Sequence, residues 1–218
     1  MNWSLNEIES LAKKAARGSG LCWGLAEEAG KATRWLCAMG YPGADMLAGL
    51  LEQNDGIAYE LLRPQDTSAA NWTTAGSSLC PLITGAALCD LAADLASGRE
   101  ITLGHTSCPL LLYPYVAAAA DMTGAALSLS WPGAVLTRCQ GLSFVDADTD
   151  ADLLIPAAES VSVAVSAEQR GASLRRVYRG NVGAQSADKL GFFANRTYAP
   201  DTPESRLAGA GAGLSDND

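Results

Sequence analysis

Near the start of the chain Leu5, Ile8, Leu11, Ala12 and Ala15 recur every three or four positions. An α-helix turns once in about 3.6 residues, so these side chains share one face. Ser4 precedes the run and Glu7 follows three residues later, a pairing in which each side chain satisfies the other's backbone amide. Gly18 and Gly20 end the pattern, which predicts a first helix between Ser4 and these glycines. Residues 22–38 predict a second, with Leu25, Ala29, Ala32 and Leu36 at helical spacing and Glu27 four residues before Lys31, where the two charges pair. Gly24 and Gly30 interrupt it. Each costs about 1 kcal/mol relative to alanine, so both point to another element or a ligand close to the backbone. A short third helix is predicted over 45–52. A longer one covers 81–97, with Leu82, Ala86, Cys89, Ala93 and Ala96 on its apolar face and Gly98 beyond it.

After Gly98 the period shortens. Segments 100–103, 110–117, 125–131, 134–138, 142–145 and 161–165 read as strands punctuated by glycine and proline. A further strand is predicted at 174–178 and a short helix at 186–195, followed by an irregular stretch. Helices first and strands later predict an α+β fold, a helical N-terminal third packed on a mostly antiparallel or mixed sheet. With 218 residues the chain has length for one sizeable core and little for two. One domain over 1–218 is expected, helical over 1–98, strand-rich over 99–198 and glycine-rich over 199–218.

Composition narrows the function classes. Hydrophobic residues make up 48% and charged ones 18%, a globular balance. The longest apolar stretch, 109–120, is interrupted by Tyr113, Pro114 and Tyr115 and falls short of the roughly 20 residues of a membrane helix, so no membrane association is expected. The first residues have neither the basic start nor the apolar core of a secretory signal, which predicts a cytoplasmic protein. Six cysteines among apolar neighbours then read as buried, reduced thiols. A net charge of −9 argues against nucleic acid as a partner, because phosphate-backbone binding needs cations.

Candidate chemistry is scattered. His105, the only histidine, stands three residues before Cys108 on a predicted loop between strands, where it can favour a nucleophilic thiolate if the two are within hydrogen-bond reach. A zinc site needs Cys80, Cys89 and Cys139 to converge as well, and a buried thiol beside a polar loop histidine is the simpler account. Asp146, Asp148, Asp150 and Asp152 resemble the start of a calcium loop, but Ala151 replaces its glycine and Ala157 its closing glutamate, which leaves a solvated acidic turn. Glu27, Glu28, Lys31 and Arg34 form a dense charged set between Trp23 and Trp35, either a solvated helix face or an acid–base site with a cation for substrate. Arg175, Arg176 and Arg179 concentrate positive charge that suits a carboxylate or phosphate. The glycine-rich end has two readings: an unstructured tail, or a backbone cradle for an anion with Arg206, Ser215 or Asp216 turned into a pocket. It fits neither a phosphate-binding P-loop nor a dinucleotide fingerprint.

The segments Ser4-Leu-Asn-Glu-Ile-Glu, Trp23-Gly-Leu-Ala-Glu-Glu-Ala-Gly-Lys-Ala, His105-Thr-Ser-Cys-Pro and the tail from Ser205-Arg206 to Ser215-Asp-Asn-Asp resemble, end to end, a bacterial family known only as a domain of unknown function. The resemblance carries no reaction, but it implies that the second helix and the glycine-rich tail are family features and that the tail is structured.

Two functions remain open on these residues. The first is a cytoplasmic enzyme of small-molecule catabolism without metal or other cofactor, a hydrolase or lyase acting on a carboxylate-bearing metabolite. Glu27 or Glu28 then supplies acid–base chemistry beside His105 and Cys108, while Lys31, Arg34, Arg179, Arg206, Ser215 and Asp216 hold the substrate. The second is a non-catalytic subunit or ligand-binding module that packs against a partner enzyme or against a second copy of itself. A redox or zinc protein built on the cysteines is a third reading.

Overall fold

A computed structural model describes residues 1–166 and 171–198. The chain starts with β1 (Asn2–Ser4) and turns directly into α1 (Leu5–Gly18). The predicted cap is formed: the Glu7 amide donates to Ser4 Oγ at 3.2 Å and the Ser4 amide donates to Glu7 Oε2 at 2.8 Å. Next come α2 (Trp23–Ala38) and α3 (Gly43–Asn54). Gly30 lets α1 and α2 touch, since a Cβ there would stand 3.0 Å from the Glu9 carbonyl oxygen and 3.1 Å from Lys13 Cβ. Gly24, read in the same way from sequence, faces open space instead.

A long connection follows, carrying one short 3-10 turn (Tyr59–Leu61) and β2 (Asn71–Trp72). The helix predicted over 81–97 is two helices, α4 (Pro81–Asp90) and α5 (Ala92–Ala96), with the break at Leu91. Their buried stripe is Leu82, Gly85, Leu88, Ala92 and Leu95, which shares only Leu82 with the predicted face. The leucines remove more apolar area from water than the alanines on the neighbouring stripe, and their face turns to the core.

Next are β3 (Ile101–Leu103) and β4 (Thr106–Ser107), then a 3-10 turn (Pro109–Leu112) and α6 (Tyr113–Thr123). The strand predicted over 110–117 is therefore helical. A continuous apolar run has no period to separate strand from helix, and Pro109 and Pro114 sit where helices begin.

The rest is β5 (Leu127–Trp131), β6 (Ala134–Cys139), β7 (Leu142–Ala147), α7 (Asp150–Leu153), β8 (Ala157–Ala158), β9 (Val161–Val165), β10 (Ala172–Ser173), β11 (Arg179–Asn181) and α8 (Ala184–Asn195). No strand forms over 174–178. That segment is held instead by single hydrogen bonds to two elements, Leu174 N to Ser143 O at 2.9 Å and Val177 N to Ala38 O at 2.7 Å.

The fold is α+β. Its main sheet has seven strands in the order β10-β7-β6-β5-β9-β3-β2, antiparallel throughout except for the parallel pair β2 and β3. β1 pairs with β11 and β4 with β8. One contiguous cluster of buried side chains runs from Ile8 in α1 through Leu36, Leu82, Tyr113 and Leu129 to Phe193 in α8. Among the described residues no helix is long and apolar enough to cross a membrane.

Candidate functional site

The charged set on α2 lies at the surface and its members are paired. Lys31 Nζ donates to Glu28 Oε1 at 2.8 Å, and this bond raises the lysine's pKa. The predicted partner, Glu27, faces Lys13 of α1 at 3.5 Å, because α1 packs close enough along this side to compete for it. Arg34 Nη1 donates to Glu9 Oε2 at 2.9 Å. The Glu27 and Glu28 side chains keep 52% and 44% of their exposure, far from the burial that the acid–base reading requires.

His105 lies on the predicted loop, with Nδ1 3.1 Å from Glu159 Oε1. Among the described residues no hydrogen bond joins it to Cys108. The Cys108 backbone is left-handed, with φ of 42°, and its amide donates to Pro156 O at 2.7 Å. Burial, aided by Cys80, pushes the Cys108 thiol up to about 11, the opposite of what an activated thiolate needs. Arg179 is committed to Asn2: Nε donates to Oδ1 at 3.0 Å and Nη2 to the carbonyl at 2.9 Å, tying β11 to β1. Arg206, Ser215, Asp216 and the glycine-rich tail lie outside the described residues. Among the described residues no group of three or more His, Cys, Asp or Glu is arranged to hold a metal ion.

A pocket of about 390 Å³ opens elsewhere, between the end of α1, the start of α2, the end of α3 and the start of α4. Gly20, at φ of 107°, makes the turn from α1 to α2, and Arg17 Nη1 holds that turn by donating to Leu21 O at 3.0 Å. Leu21, Leu25, Leu51, Leu62, Leu82 and Ile83 supply the apolar walls, and among the described residues no charged one lines the pocket. Its polar side chains among the described residues are Ser19, Asn54, Tyr59 and two cysteines. Cys22 and Cys80 occupy equivalent positions, immediately before α2 and α4. Cys22 is exposed and Cys80 buried. Burial raises the Cys80 thiol pKa, opposed by the Ile83 and Leu82 amides and the Asn54 side chain facing the sulfur.

The pocket's outer side is apolar as well. Ile57 and Tyr59 line it while remaining 40% and 48% exposed, and Leu61 and Trp23, next to lining residues in the chain, are 41% and 62% exposed. Sequence reasoning passed over this site because it looked for titratable clusters. The available signal was a loop, 55–62, carrying Ile57, Tyr59, Leu61 and Leu62 outside any amphipathic element.

Residues 3–77 match the model of a family described as a protein of unknown function (DUF3726). The match includes the Ser4 and Trp23 motifs and the pocket walls from Ser19 to Leu62, and it stops before Cys80, His105 and the tail. No curated protein matches the chain.

Proposed function

We propose that the chain is a non-catalytic ligand-binding module that takes a neutral, largely apolar small molecule in the pocket between α1, α2, α3 and α4. The observation that carries this reading is a lining of leucine, isoleucine and uncharged polar side chains around about 390 Å³, a volume suited to a small ligand. A charged ligand there would find no counter-ion among the described lining residues, and burying an unpaired charge costs several kcal/mol. Glu27, Glu28, His105 and Cys108 are not among the described wall residues, so the groups named for the hydrolase or lyase reading do not meet at this pocket.

Titration with the neutral fluorophore phenylnaphthylamine tests the proposal. Saturable binding to one site is expected, and Leu25→Trp, which fills the wall, abolishes it while the melting temperature is kept. Absence of saturable binding, or equal binding by a folded L25W variant, refutes the reading.

A further inference from the structure

Towards the C-terminal end of α2 two hollows of about 380 and 130 Å³ share Trp35 and Arg176. The larger also receives Arg138, and the smaller Lys31 and Arg34. Four cations thus border the two hollows that Trp35 joins, together with Glu9 and Asp121.

Three of the four already have acids. Lys31 has Glu28 and Arg34 has Glu9. Arg138 is clamped by Asp121, with Nε to Oδ1 at 2.9 Å and Nη2 to Oδ2 at 2.7 Å, while its Nη1 donates to Ser143 Oγ at 3.0 Å. Arg176 differs: among the described residues it has no hydrogen bond or ion pair. The backbone beside it is nevertheless held, because the next residue, Val177, donates its amide to Ala38 O at the end of α2.

We infer that Arg176, beside Trp35, is an anion-binding residue for a small carboxylate with a planar body, a second site separate from the apolar pocket. A guanidinium offers a carboxylate two parallel hydrogen bonds, and because the other three cations are paired with Glu28, Glu9 and Asp121, Arg176 carries the attraction. Trp35 borders both hollows, where its ring gives the planar part of the ligand an apolar surface. The hollows share no lining residue with the apolar pocket, so the two sites stand or fall independently.

The probe is benzoate, with benzamide as its neutral counterpart, followed by the indole N–H resonance of Trp35 in the full chain, identified with Trp35→Phe. Benzoate shifts that resonance saturably, more weakly as salt is added, and benzamide does not. Arg176→Gln, at an exposed position, keeps the fold and weakens benzoate binding about tenfold or more. Equal binding of benzoate and benzamide, an unchanged affinity in R176Q, or no shift at any concentration the protein tolerates overturns the inference. Tighter binding of inorganic phosphate than of benzoate also overturns it, since it assigns the cations to a phosphoryl group.

Discussion

Gly18, in the last turn of α1, lies against the backbone of Phe193 in α8 so closely that a Cβ would overlap the Phe193 carbonyl. The obstacle is backbone, which cannot swing aside as a flexible side chain does. Gly18→Ala therefore has to push α8 off α1 and is expected to destabilise the protein by about 3 kcal/mol. Gly24, in α2, has nothing within 4 Å of its would-be Cβ. There alanine only restricts the unfolded chain and favours the helix, for a gain of about 0.5 kcal/mol. Urea unfolding of the two variants checks the contrast, and a Gly18→Ala protein as stable as the parent would show that α8 does not dock as described.

How much of this was legible in the sequence depended on how local each cause is. Ser4 and Glu7 are three residues apart and complete their cap alone, so α1 was readable. β9 was readable at its observed ends, 161–165, from a short apolar run. Which strands flank it was not, because the pairing of Leu127 with Val165 joins residues far apart in the chain. Residues 110–117 misled because an unbroken apolar run fits either kind of element. Lys31 and Arg34 stood out as charges, but the two hollows that they and Arg138 border with Arg176 and Trp35 are made by the fold. The apolar pocket was hidden for the same reason: its walls come from segments spread between Ser19 and Ile83, and none is unusual alone.

Cys22 gives the pocket a chemical handle. It is exposed at the start of α2, whereas the other five cysteines are buried or half-buried. Burial raises the pKa of Cys37, Cys80, Cys89 and Cys108 and so suppresses the thiolate that reacts. Brief treatment with a maleimide near neutral pH is expected to modify Cys22 first, as read by mass spectrometry of peptides. The adduct occupies the pocket mouth and blocks phenylnaphthylamine, while Cys22→Ser binds the fluorophore and protects binding from the reagent. Undiminished binding after complete labelling of Cys22 would remove the ligand from this pocket.

The thiol of Cys108 sets a further expectation, for stability against pH. Burial lifts it from an ordinary value of 9.0 to about 11. Below pH 9 folded and unfolded chains both hold this proton, and its contribution is fully present. Between pH 9 and about 11 the unfolded chain releases the proton while the folded chain keeps it, so unfolding becomes easier as pH rises. The slope from this group is at most about 1.4 kcal/mol per pH unit. Cys89, also pushed up to about 11, adds a similar trend, so the parent's decline is not specific to one thiol. The difference between the parent and Cys108→Ala is specific. Urea unfolding under reducing conditions, repeated from below pH 9 to about 11, should show a shallower decline for the variant, and parallel declines would mean that the folded protein leaves Cys108 open to water.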